Sequence, residues 1–190
     1  YRFNKEDSEN FKEKIFIRYD KSYGINNDKD KEENSHQSIH KGFINYLFAS
    51  GLDNIIKNKI IHVQNLYNKI FSNVELKYFI CGHSLGGALA QLFAMSLSTS
   101  KLTSKESINC LTFNQPRVGD VTFNSHFVNS INIKFNTYYR LFNYQDLVPQ
   151  LPPNKLGFYH LDEFIKIFDE QTSHDTLLAS LQKLELFEET

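Results

Sequence analysis

Residues 81–88 read Cys-Gly-His-Ser-Leu-Gly-Gly-Ala, directly after the apolar run Tyr78-Phe79-Ile80 and directly before a helix-forming stretch. No other segment restricts the fold as much. Gly82-His83-Ser84-Leu85-Gly86 has the form G-x-S-x-G, in the order strand, turn, helix that the motif requires. A turn this tight holds its serine in a strained backbone conformation and lifts Oγ above the sheet. Side chains two residues before and after the serine are expected to collide with the neighbouring strand and helix, so hydrogen is expected at both places. Gly87, Ala88 and Ala90 extend the small face on which the helix can lie close to the strand. The helix N-terminus puts free N–H groups and positive potential where negative charge would develop. The plainer reading is a glycine-rich turn that only packs a helix on a strand. The strand–helix context favours an exposed nucleophile.

The rest of the chain suits that setting. Strand-like runs at 76–81, 108–113 and 137–142 alternate with helical patterns at 85–98 and 121–131. Such alternation predicts crossovers and a mainly parallel sheet with helices on both faces. Ahead of these lie two expected strands, Tyr1-Arg-Phe3 and Lys14-Ile-Phe-Ile-Arg-Tyr19, and then a polar loop at about 20–38. Phe43 to Phe71 has helical spacing, interrupted at Gly51. Residues 157–168 read as a further strand or bent pair, and a last helix is expected at about 175–187.

At 190 residues the chain fits one domain with a sizeable core. A net charge of −1 gives no basic field to draw in nucleic acid. No apolar stretch approaches the roughly 18 residues of a membrane span. The two cysteines, Cys81 and Cys110, make no disulfide framework and are expected in buried strands. The chain opens on Tyr1 without a signal-peptide pattern. A soluble protein is expected, in a processed or trimmed form that leaves room for a removed N-terminal address. Its compartment stays open.

A serine is a weak nucleophile without a base and an orienting acid. Where the serine stands at such an elbow, acid and base follow it in chain order. Asp146, in Phe142-Asn-Tyr-Gln-Asp-Leu-Val-Pro149 just past a strand, fits the acid. Of the seven histidines, His36, His40 and His62 precede the serine. His83 sits inside the elbow, and His126 precedes Asp146 on a helix. His160 and His174 remain. His160 falls in a strand pattern, whereas His174 in Thr172-Ser-His-Asp175 opens the last helix, and loop position favours His174.

Four segments go beyond this general inference: Ile39-His-Lys-Gly-Phe43, Gly82-His-Ser-Leu-Gly-Gly-Ala-Leu-Ala90, Phe113-Asn-Gln-Pro-Arg-Val-Gly-Asp120, and Tyr139-Arg-Leu-Phe-Asn-Tyr-Gln-Asp-Leu-Val-Pro-Gln-Leu-Pro-Pro153 with Gly157-Phe-Tyr-His160. In this order they resemble the class 3 (fungal-type) lipases, over about residues 15 to 175. The resemblance implies the α/β-hydrolase fold and a single domain over 1–190, with a lid or loop at about 20–38. It implies hydrolysis of lipid or lipid-like acyl esters by Ser84, Asp146 and His174, with no metal and no organic cofactor. It also implies peripheral contact with a lipid interface. The oxyanion-hole N–H groups it implies are those of Leu85 and Asp20.

The chain departs from the family pattern at three places. Arg18-Tyr19-Asp20 stands where the family has Arg-Gly-Ser/Thr, which puts a carboxylate next to the expected oxyanion. Asn114 replaces the usual glycine before Gln-Pro-Arg-Val-Gly. Residues 21–38 are too polar for a lid with much apolar area. These departures keep a second reading in view, a lipase-like binding or signalling protein with weak catalysis. An acyltransferase using the same acyl-enzyme is a third.

Overall fold

The computed structural model of the chain describes residues 16–19, 37–71, 76–104, 107–130, 138–143, 145–161 and 165–168. The expected strand at Tyr1-Arg-Phe3, nearly all of the 20–38 loop and the last helix lie outside them.

Four parallel strands form the central sheet: β3 (Tyr78–His83), β4 (Ile108–Phe113), β5 (Tyr138–Asn143) and β6 (Ile165–Phe168), in that spatial order. Helix α3 (Leu85–Thr99) connects β3 to β4, and α4 (Val121–Ser130) lies between β4 and β5. The strands and helices predicted from periodicity are therefore present, with bounds shifted by one or two residues. The register sets Tyr78 beside Ile108, Cys110 beside Tyr138, and Arg140 beside Ile165. Every strand thus ends on the same side, and the loops that follow converge there.

Helix α3 is apolar nearly all round, with Ala88, Leu92, Ala94 and Leu97 fully buried, as befits a helix with neighbours on several sides. It packs on the sheet face that carries Ile108 and Cys110. The other face shows Phe79, 62% exposed, with Cys81 and Phe113 also exposed. Cys81 is therefore not the buried core residue expected from its apolar surroundings. It occupies the outward register of β3, whereas Cys110 points inward and burial pushes its thiol pKa up.

The helical run after residue 40 has three parts: α1 (Lys41–Ile44), a π-helical turn (Asn45–Ala49) and α2 (Leu52–Ile70). Gly51 makes the predicted break, at φ 79°, a left-handed conformation that glycine adopts without strain. Buried Asp53 on α2 pairs with Lys57 at 2.9 Å, and Ser96 of α3 bonds both, at 2.8 Å to Asp53 and 2.7 Å to Lys57.

A separate antiparallel pair, β1 (Phe16–Tyr19) and β2 (Gln37–His40), flanks the site end of the sheet. Residues 37 and 38, expected in the polar loop, belong to this strand, which at four residues carries little periodicity. Here β2 is tied down from the β4–α4 loop. His40 N–H donates to Val118 O, Asp120 N–H donates to Ser38 O, and Ser38 N–H donates to the Asp120 carboxylate at 2.8 Å. The other Asp120 oxygen accepts from Phe123 N–H at 2.7 Å in the first turn of α4. Residues 157–161 are not strand, as predicted, but loop with one isolated bridge from Tyr159 to Gly119. Among the described residues no helix is long and apolar enough to cross a membrane.

Candidate active site

Ser84 stands between β3 and α3 with φ 53° and ψ −126°. It and Asn114 are the two non-glycine residues with positive φ among those described. Its side chain makes no capping bond to α3, so Oγ is not used to satisfy the helix. Its backbone is fixed from both sides. Ser84 N–H donates to Phe113 O at 2.9 Å, and Gly87 N–H donates to Ser84 O at 2.9 Å. Leu85 opens α3, so its N–H precedes the first intrahelical bonds and lies next to the nucleophile position.

The glycines around the serine divide the work differently from the sequence expectation. A Cβ on Gly82 would lie 2.1 Å from the Gly86 carbonyl oxygen, which no side chain can do. A Cβ on Gly86 would meet nothing within 4 Å. The collision expected at Gly86 is absent, because only its backbone faces Gly82. The second close approach belongs to Gly87, whose Cβ would lie 2.9 Å from Gln115 Cβ. Gln115 is buried and donates through Nε2 to Gln91 Oε1, while Tyr138 O–H donates to Gln115 Oε1 at 3.2 Å. This buried amide pair supports the elbow from beneath. Sequence reading had no signal for it beyond the Gln-Pro-Arg-Val-Gly segment.

Asp146 follows β5 at the same end of the sheet. Asn143, the last residue of β5, organises the turn. Its carbonyl accepts from Asp146 N–H at 3.1 Å, and its Oδ1 accepts from Gln145 N–H at 2.9 Å. Asp146 Oδ1 then accepts from Val148 N–H at 2.9 Å. Beyond it, four consecutive carbonyls are bonded. Pro149 O accepts from His160 Nε2 at 2.7 Å, and Leu151 O accepts from Arg117 N–H at 2.7 Å. Arg117 Nη1 donates to both Gln150 O and Pro152 O, the latter at 2.9 Å.

His160 is held neutral by this arrangement. Burial, then the nearby Arg140 and Arg117 guanidinium groups, push its pKa down to about 3 against the favourable bond to Pro149 O. A ring that is desolvated and committed to a carbonyl is a poor proton acceptor. This agrees with the structural role that sequence reading gave it, though in a loop rather than a strand. His40 is also structural: Nδ1 accepts from Gly42 N–H at 3.1 Å, and the ring stacks on Phe43 at 4.3 Å. Burial lowers its pKa.

Ser84, Leu85 and Asp146 thus share the carboxyl end of the sheet, while His174 and Asp20 lie outside the described residues. Comparison with known proteins places the chain in a family. The family model described as Lipase (class 3) matches residues 11–156. The chain is 33% identical over 148 residues to a lipase of Rhizomucor miehei, an alignment covering 77% of this chain and 37% of that one. It is 32% identical over 123 residues to a lipase of Rhizopus niveus, covering 64% and 28%. Among solved structures, the native Rhizomucor miehei lipase propeptide complex matches with a TM-score of 0.55 and 33% identity, over 66% of this chain and 37% of that chain. A triacylglycerol lipase whose catalytic centre is formed by a serine protease triad matches with a TM-score of 0.52 and 27% identity, over 81% and 51%. The chain spans little more than a third of the length of the Rhizomucor lipase. With an elbow serine on a parallel sheet of the α/β-hydrolase fold and a family match over most of its length, this chain belongs to the class 3 lipases.

Proposed function

We propose that this chain is a single-domain carboxylic ester hydrolase that acts on lipid or lipid-like acyl esters. His174 takes the proton from Ser84 Oγ as the oxygen attacks the ester carbonyl. The N–H groups of Leu85 and Asp20 receive the oxyanion. The tetrahedral species collapses, the C–O bond breaks, and the alcohol leaves with the proton from His174. Water activated by His174 then releases the acid from Ser84. Asp146 holds the imidazole in the right tautomer and stabilises the imidazolium. No residue of this sequence is asked to hold a metal or an organic group.

The observation that carries this reading is the backbone of Ser84. A serine at φ 53° costs stability, and strain of this kind persists where the surroundings enforce it for use. The neutrality of His160 supports the choice of His174 as base. Leu85, Val121, Leu147 and Leu151 are exposed at the carboxyl end of the sheet, at 42%, 58%, 70% and 52%. Apolar groups around the site suit an acyl chain or the surface of a lipid aggregate.

The test is labelling with a fluorophosphonate probe, followed by peptide mapping and hydrolysis of a short p-nitrophenyl ester. Labelling is expected at Ser84 alone. Ser84→Ala is expected to abolish both labelling and hydrolysis. Equal labelling of wild type and variant would refute Ser84 as the nucleophile, whereas no labelling of the wild type would favour a lipase-like binding protein.

A further inference from the structure

Asn114 has φ 45°. Glycine adopts that conformation freely, and asparagine tolerates it at some cost. The side chain must therefore supply something that the glycine usual at this place does not. It supplies an acceptor: Asn143 N–H donates to Asn114 Oδ1 at 2.8 Å, while Asn114 N–H donates to Leu141 O at 2.8 Å. Asn114 thereby bonds to β5 at both Leu141 and Asn143. From Asn143 two bonds lead onward, to Gln145 N–H and Asp146 N–H.

The neighbouring residue makes the equivalent bond on the other side. Phe113 O accepts from Ser84 N–H at 2.9 Å. Two consecutive residues at the end of β4 thus grip the turn that carries Ser84 and the turn that carries Asp146. Strand β4 lies between β3 and β5 and is the natural reference for both.

We propose that Asn114 is a positioning residue for Asp146. Its side-chain carbonyl sets where β5 gives way to the Asp146 turn, and so where the carboxylate stands relative to Ser84. This rests on the reading of Asp146 as the orienting acid. An error on the order of 1 Å in such a constellation is expensive, up to about 10²-fold in rate. One lost bond in an otherwise bonded turn is expected to cost less.

The experiment uses the full chain and three variants. Asn114→Gly keeps the backbone conformation and removes the acceptor, and Asn114→Asp keeps an acceptor at Oδ. For Asn114→Gly, kcat on p-nitrophenyl butyrate is expected to fall about tenfold with KM within about twofold. The phosphonate labelling rate should fall in parallel and Tm should hold, since glycine relieves the strain at φ 45°. Asn114→Asp should retain most of kcat. Wild-type kcat in Asn114→Gly, or an equal loss in Asn114→Asp, would overturn the proposal. Asp146→Asn separates this from the triad itself. In a working triad it should lower kcat by on the order of 10⁴. Full activity there would refute the acid assignment, whereas an inactive Asp146→Asn beside an unaffected Asn114→Gly would refute the positioning role alone.

Discussion

The two arms of the site are fixed by opposite means. The Ser84 arm is held by missing atoms: Gly82 and Gly87 let backbone and helix approach to distances that no Cβ permits. The Asp146 arm is held by added ones. Asn114, Arg117 and His160 reach in with side chains to bond the ends and carbonyls of a loop whose own regular structure is two short 3-10 turns, Val148–Gln150 and Asn154–Leu156. Steric fixing is abrupt and tolerates nothing. Hydrogen-bond fixing is graded, because each bond contributes about 0.5–1.5 kcal/mol, or up to about 3 when charged. Mutations should therefore act as a switch in one arm and as a slope in the other.

The sharpest test compares two glycines of the same motif. Gly82→Ala puts a methyl 2.1 Å from a carbonyl oxygen held by the helix. The expected result is no folded protein, or a loss above about 4 kcal/mol in urea unfolding. Gly86→Ala meets nothing and lies in the first turn of α3. It should be neutral or stabilising by up to about 1 kcal/mol. Similar behaviour of the two variants would break the steric account of the elbow.

A smaller effect is expected in the loop arm. Arg117→Ala removes the donor that Gln150 O and Pro152 O share and keeps the backbone bond to Leu151 O. The expected cost is about 1–3 kcal/mol in the urea midpoint. Arg117→Lys should recover only part of it, because an ammonium is a point donor and not a fork. Full recovery would mean that charge, not geometry, holds the loop.

A further test uses pH. Folded His160 has its pKa near 3, and an unfolded histidine titrates near 6.5. Between those values the unfolded chain binds a proton that the folded chain refuses. Stability therefore falls as pH falls below about 6.5, by up to about 1.4 kcal/mol per pH unit from this residue. His160→Gln keeps an N–H donor without the titration, so its Tm should decline less between pH 6.5 and 4. Equal slopes for the two proteins would show that His160 does not titrate with folding.

The same contrast explains what could be read from sequence. Helices and strands from 78 to 143 were legible because they repeat with a period, and the elbow because glycines mark close approach. Asp146 was legible from its place after a strand. The Arg117 clamp was not, since a loop satisfied by distant side chains leaves no periodicity along the chain. Gly86 was misjudged because the motif records that two glycines touch, not which of them needs the space. Exposure of Cys81 depends on what covers the outer sheet face, which no local pattern encodes. His174 and Asp20 lie outside the described residues, so the base and the second oxyanion donor rest on order and resemblance.

The triangle of Asp53, Lys57 and Ser96 has a consequence for descent. Asp53 is the buried charge of the three, so replacing Lys57 leaves its carboxylate inside the protein with the Ser96 hydroxyl as its one partner from the trio. Removing one partner of a buried ion pair typically costs about 3–5 kcal/mol, whereas exchanging the whole set for apolar residues can cost nothing. A lineage changing one codon at a time must cross that gap, and most lineages would be turned back. Helices α2 and α3 should then keep or lose this trio together, as a single inherited character.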